Sequence, residues 1–173
     1  APDERVNQVS PALFRKFPDP VAMAEAREED LEELIHTISF YRQKGRNIRE
    51  MSQMIVQNFH GEVPWTIEEL TQLPGVGRKT ANLVLANGFS IPAMPVDTHV
   101  ARVSQRLGLS KSSDPDRIES DLIKIFPQEK WIRVSHLLGF LGRFICQAKK
   151  PKCWECSLLN LCPFPDKPVI EKG

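Results

Sequence analysis

Leu73-Pro74-Gly75-Val76-Gly77-Arg78-Lys79 is a tight glycine turn caught between two helical patterns. Gly75 and Gly77 carry no Cβ, so the backbone can take positive φ at both, and its N–H groups can approach a phosphate with nothing in between. Pro74 fixes the approach to the turn. Before it, Thr66 is an N-cap and Glu69, three residues on, completes a capping box, with Ile67, Leu70 and Leu73 on one face. After it, a helix is predicted over residues 78–87, with Gly88 as its C-terminal stop. Two helices joined in this way make a helix-hairpin-helix, which grips a nucleic-acid backbone without reading its sequence. The glycines alone also suit an ordinary αα-hairpin turn. Lys79 separates the two readings. A lysine in the first turn of a helix faces the positive end of the macrodipole, which raises the energy of its own cationic form. That is a poor place for a structural residue and a good one for a nucleophilic amine.

The 173 residues suffice for one large domain or two small lobes with a real core. Hydrophobic content of 41% and charged content of 26% describe a soluble globular chain. The chain does not open on a basic-then-apolar signal pattern, and no apolar run approaches the ~20 residues needed to cross a bilayer. A cytoplasmic location and no membrane partner are therefore expected. A net charge of +1 is small for a nucleic-acid binder, so affinity must come from how charge is distributed. Residues 25–33 hold Glu25, Glu28, Glu29, Asp30, Glu32 and Glu33 against Arg27 alone. Arg143, Lys149, Lys150 and Lys152 have no acidic residue among them, and Arg78, Lys79, Arg102, Arg106 and Lys111 outnumber Asp97. One side of the molecule is expected to be acidic and another basic.

The remaining periodicity is helical throughout. Val6, Val9, Leu13, Phe14 and Phe17 stand at helical spacing, with Ser10-Pro11 either capping or kinking that stretch. Asp19-Pro20 starts a short helix, and Leu31, Leu34, Ile35 and Ile38 stripe the next. Phe40-Tyr41-Arg42-Gln43-Lys44-Gly45 reads as a basic, aromatic turn, followed by a helix with Ile48, Met51, Ile55 and Phe59 inward and His60-Gly61 at its end. Val96, Val100, Val103 and Leu107 mark a helix whose natural N-cap is Asp97. Ser113-Asp114-Pro115 starts another, with Ile118, Leu122 and Ile125 inward, and a last long helix covers residues 131–146. Trp65, Trp131 and Trp154 are expected to pack in the core or between lobes, and His99 and His136 to sit hydrogen-bonded between helices. With no strand alternation, the fold class is all-α.

Two groups of residues carry chemistry. The helix from Lys79 is about 13 Å long at 1.5 Å per residue, and the nine residues after it span up to about 30 Å. Asp97 can therefore return beside the start of that helix. A carboxylate that caps a helix is held ionised and fixed in direction. An amine beside it is suited to attack on a sugar C1′ carbon, with the carboxylate supporting either the oxocarbenium charge or the amine's deprotonation. The second group is Cys146, Cys153, Cys156 and Cys162, all four cysteines of the chain, separated by six, two and five residues. Their confinement to one stretch argues for a metal over a disulfide framework, and the spacing admits zinc or an iron–sulfur cubane.

Residues 73–81 (Leu-Pro-Gly-Val-Gly-Arg-Lys-Thr-Ala), residues 96–100 (Val-Asp-Thr-His-Val) and the C-x6-C-x2-C-x5-C run at 146–162 together resemble the endonuclease III family of helix-hairpin-helix DNA glycosylases and AP lyases. The resemblance extends from about residue 3 to 162. It implies two helical lobes, residues 1–91 with the hairpin and residues 92–173 with a 4Fe-4S cluster on the four cysteines, and a DNA cleft between them. It implies Lys79 as the Schiff-base lysine, which adenine glycosylases of the same fold lack, and Asp97 as the catalytic carboxylate. The implied partner is double-stranded DNA containing damaged bases or abasic sites, and the implied substrates are oxidised or ring-saturated pyrimidines. The implied protein is a monomer, nucleoid-associated when bound to DNA. Phe40 stands where a bulky wedge enters DNA, and Lys44, Leu73, Gly75, Val76, Gly77, Arg78, Arg143, Lys149, Lys150 and Lys152 join it as expected DNA contacts. Family members begin some tens of residues earlier, with a helix that packs on the cluster lobe and a segment ending in a glutamine that fills the gap left by the flipped base; that difference bears on stability and full activity, not on the resemblance. The competing readings are a catalytically impaired DNA-binding module with a structural cluster, and a glycosylase of different base preference. The joint presence of Lys79 and Asp97 favours the enzyme.

Overall fold

The computed structural model describes residues 3–168, and among them every regular element is helical. The elements are α1 (Asp3–Lys16), α2 (Pro20–Glu25), α3 (Glu28–Ile35), α4 (Tyr41–Asn58), α5 (Ile67–Leu70), α6 (Arg78–Gly88), α7 (Thr98–Arg106), α8 (Pro115–Ile125) and α9 (Trp131–Phe140). A π-turn, Leu141–Ile145, prolongs α9 to Cys146. No helix among the described residues is long and apolar enough to cross a membrane. Internal contacts divide the chain into two compact units, Ala1–Gly77 and Arg78–Gly173, so α6 groups with the second.

In the first unit, Leu13, Phe17, Met23, Ala26, Leu31, Ile35 and Ile38 form the buried cluster, and α4 packs along α2 and α3. Pro11 lies inside α1, where the Ser10 hydroxyl donates back to the Val6 carbonyl at 2.7 Å. Phe14 shares the spacing of Leu13 and Phe17 but is 57% exposed, because a helix with two buried residues one turn apart turns the residue between them outward. The stretch 40–45 is not a free turn. It is the start of α4, with Phe40 at the N-cap in the left-handed region (φ 59°). Gly45 is buried within that helix, against Glu32, Ile35 and Leu31.

The second unit is built around α7, which packs on α8, α9 and the π-turn. Met94, Val96, Val100, Val103, Ile118, Leu122 and Leu138 form its core. Gly142 permits the closest approach in this unit. A Cβ there would stand 2.8 Å from His99 Cβ and 3.0 Å from the His99 carbonyl. Ile125, expected inward, lies at the last position of α8 and is exposed. α6 ends at Gly88, as expected, but the left-handed turn that follows is not at the glycine. The chain leaves the helix through Ser90 in the left-handed region, with the Ile91 N–H bonded to the Leu85 carbonyl in a Schellman pattern. Trp65 and Trp154 are exposed and His136 is on the surface, contrary to their expected packing. Trp131 is half-buried and its indole N–H donates to the Phe126 carbonyl.

Candidate active site and cysteine pocket

The glycine turn is closed by the Val76 N–H on the Leu73 carbonyl at 3.0 Å, with the Leu73 side chain buried beneath it. Gly75 alone has positive φ, +77°, and a Cβ on it would meet Asn47 Nδ2 at 2.5 Å. Gly77, expected to share that conformation, does not, and a Cβ there would face open space. Both glycines are exposed, and neither N–H makes a hydrogen bond among the described residues. They are unbonded donors on exposed residues, at the point where the chain enters α6.

Lys79 is the second residue of α6, exposed, and its amine makes no hydrogen bond or ion pair among the described residues. Its neighbour Arg78 is held differently. The Arg78 guanidinium forks onto Glu119 of α8, Nε to Oε2 at 2.9 Å and Nη2 to Oε1 at 2.8 Å, with Asp116 3.9 Å away. Asn82, one turn further along α6, donates to the same Glu119 Oε2 at 2.9 Å. No motif pointed to Glu119. Its only sequence signal is an acid set between Ile118 and Leu122, the two buried positions of α8.

Asp97 caps α7 as its sequence context predicts. One oxygen, Oδ1, accepts from both His99 N–H and Val100 N–H at 2.8 Å. The other makes no hydrogen bond among the described residues, and the side chain is half-buried. Asp97 and Lys79 are not joined in an ion pair, so the amine is not sequestered by this carboxylate. Below Asp97, Arg102 ties α7 to the π-turn through the carbonyls of Gly142 at 2.7 Å and Cys146 at 3.0 Å, and its Nη2 lies 3.2 Å from His99 Nδ1. Arg102 is another residue that spacing did not single out as structural.

The remaining expected contacts fall in several settings. Phe40 is 84% exposed and projects from its left-handed N-cap, while the Lys44 amine donates to the Ser39 carbonyl at 2.7 Å and braces that corner. Arg143, Lys149 and Lys150 are exposed, and Lys152 lies 3.7 Å from Glu155.

The cysteines correct the sequence-based expectation. Cys146, Cys153, Cys156 and Cys162 are free, half-buried thiols lining one pocket with Arg106, Leu141 and Phe164. Yet among the described residues no three His, Cys, Asp or Glu side chains are grouped to hold a metal ion, so the 4Fe-4S cluster is not supported. The thiols have other engagements. Cys146 Sγ accepts from Arg106 Nη1 at 3.3 Å, and Cys162 donates to the Arg106 carbonyl at 3.6 Å. Burial, followed by the neighbouring cysteines, pushes the Cys153 thiol above its ordinary range.

The family model for HhH-GPD superfamily base excision DNA repair proteins matches residues 1–128. Endonuclease III of Synechocystis sp. is 54% identical over 162 residues, covering 93% of this chain and 74% of that protein. The Bacillus subtilis endonuclease III is 45% identical over 161 residues, covering 92% of this chain and 74% of its own. The chain belongs to the endonuclease III family. A solved endonuclease III, trapped as a covalent intermediate with DNA, superposes with a TM-score of 0.89 at 44% identity, over 93% of this chain and 76% of that one. A thermostable thymine-DNA glycosylase, at 23% identity and a TM-score of 0.81, shares the fold. This endonuclease III homologue is therefore an enzyme of base excision repair, a DNA glycosylase that is also an AP lyase. A second solved endonuclease III, in a non-covalent complex with DNA, superposes with a TM-score of 0.88 at 44% identity, over 93% of this chain and 76% of that one.

Proposed function

We propose that Lys79 is the nucleophile and Asp97 the carboxylate of this activity, and that oxidised or ring-saturated pyrimidines are the bases removed. The observation that carries this reading is the state of the two side chains. The Lys79 amine is exposed and without a protein partner among the described residues, close in the chain to two unbonded glycine N–H groups on exposed residues. Asp97 is held by one oxygen at a helix N-terminus with the other left over. Phosphate oxygens accept from the Gly75 and Gly77 N–H groups, which sets the backbone over α6 without regard to sequence. Phe40 enters the stack in place of the extruded nucleotide, offsetting part of the few kcal/mol that flipping costs.

In the chemical step the neutral Lys79 amine attacks C1′. The C1′–N bond to the base breaks and its electron pair leaves with the base, which is protonated from water. The carboxylate of Asp97 supports the positive charge that develops on the sugar. A proton passes from the new C–N nitrogen to O4′ as the C1′–O4′ bond opens, which gives the protonated imine and a free 4′-hydroxyl. Removal of a C2′ proton then expels the 3′ phosphate, cleaving the strand, and water releases Lys79. The reading is tested with duplexes that each carry one ring-saturated or oxidised pyrimidine. Wild-type protein should excise these and form a borohydride-stable adduct, and Lys79→Gln should form none while still binding DNA. An adduct from Lys79→Gln would assign the chemistry to another amine. Excision confined to purine lesions would overturn the substrate class.

A further inference from the structure

We infer that Glu119 is a positioning residue for Lys79, acting through Arg78 and Asn82 to fix the rotation of the first turn of α6. The inference rests on the proposed role of Lys79. Helix α6 has no acidic residue in its first turn, so nothing within its own first turn pins it electrostatically. Glu119 supplies the restraint from α8. The Glu119 side chain is 10% exposed, and its carboxylate receives three N–H groups, two from the Arg78 fork and one from Asn82, at 2.8–2.9 Å. Arg78 and Asn82 are four apart and therefore lie on one face of α6, one turn above the other. A planar carboxylate bound at two points along a helix restrains both its rotation about the axis and its slide along it. The bidentate fork adds direction as well as attraction. Lys79 is the next residue after Arg78, so its Cα–Cβ direction is set by that restraint.

The carboxylate also has a charge balance that suits this purpose. Arg78 leaves part of its guanidinium at the surface while Glu119 and Asn82 are buried, so the anchor lies inside and the helix start remains accessible. Among the described residues near the turn, Lys79 keeps a free amine while Arg78 is engaged. Adjacent cations are thus divided between anchoring and chemistry.

The test is single-turnover borohydride trapping on an abasic duplex with the full chain, comparing wild type, Glu119→Gln, Arg78→Lys and Lys79→Gln. Glu119→Gln keeps the shape but turns an amide N–H₂ toward a donor. Arg78→Lys is the milder second variant, since its half-exposed side chain keeps the charge and loses only the fork. A misplacement of the amine by about 1 Å should lower the trapping rate constant by about ten- to a hundredfold in Glu119→Gln, and by less in Arg78→Lys. A purely structural role would lower the amplitude, by reducing the folded fraction, and leave the rate constant of the folded molecules at the wild-type value. An unchanged rate constant in either variant, whatever its amplitude, overturns the inference. Trapping by Lys79→Gln would instead overturn the reading on which it rests.

Discussion

Asp97 is asked to do two things, and two substitutions separate them. Its Oδ1 accepts two backbone N–H groups at 2.8 Å at the start of α7, which is the capping role, and its charge faces the positive end of the helix. Asp97→Asn keeps an oxygen that can accept both N–H groups and loses the charge, at a cost of about 0.3–1 kcal/mol. Asp97→Ala also loses the cap, for a total of about 2 kcal/mol. For a chain of this size, 1 kcal/mol moves Tm by about 2–4 °C. The unfolding temperature should therefore fall by about 1–4 °C in Asp97→Asn and about 4–8 °C in Asp97→Ala. Base excision should fall strongly in both, and more than strand cleavage at a pre-formed abasic site, where the glycosidic bond is already broken. Two results would refute this reasoning. Equal destabilisation by Asn and Ala would mean that Oδ1 does not hold the cap, and wild-type excision by Asp97→Asn would leave the carboxylate only a structural part.

The two glycines of the turn should respond in opposite ways. Gly75→Ala places a Cβ against Asn47 at positive φ and should cost about 2 kcal/mol of stability, whereas Gly77→Ala should leave Tm unchanged and weaken duplex binding by crowding a phosphate. Weaker binding at full stability for Gly75→Ala, or the reverse for Gly77→Ala, would contradict the turn geometry. Replacing Lys149, Lys150 and Lys152 with alanine should flatten the slope of log K against log salt by up to about 0.9 for each phosphate that the loop no longer neutralises. Lys152, paired with Glu155, should contribute least, and an unchanged slope would remove this loop from the interface. In the first unit, hydrogen bonds from Arg27 and then Lys16 hold the Asp30 carboxyl down to about 2, below the unfolded value near ~4. A depressed carboxyl stabilises the fold above the unfolded pKa, and that contribution disappears as pH falls through about 2. Asp30→Asn should therefore lower Tm more at pH 7 than at pH 2, and more at low salt than at high; equal losses at both pH values would contradict this.

What the sequence discloses here depends on how local each signal is. Thr66-x-x-Glu69, Asp97 and Asp114-Pro115 are caps whose partners lie within three residues, and all three form as their local chemistry requires. The Asp97 hydrogen bonds are an instance: both donors follow directly in the chain. Phe14 and Ile125 are harder to read, because apolar spacing says which residues could share a face but not which face the neighbours cover. α6 stops at Gly88, but the left-handed residue beyond it is Ser90, with Ile91 bonded to Leu85, and no local composition rule marks that position. Glu119 lies 41 residues from Arg78 and 37 from Asn82, beyond any motif's reach. The cysteine run shows the converse. Its spacing admits metal ligation, while the side-chain arrangement gives Arg106 a hydrogen bond from Cys162 and another to Cys146 and assembles no metal-binding group among the described residues.

The proposed chemistry requires that the amine of Lys79, and no other, forms the bond to the sugar. The most direct measurement is to trap the wild-type protein on an abasic duplex with borohydride, digest the adduct and locate the modified residue by peptide mass spectrometry. The sugar remnant is expected on the peptide containing Lys79, fragmenting to that side chain. A remnant on Lys149, Lys150 or the chain's α-amino group, with Lys79 unmodified, would contradict it.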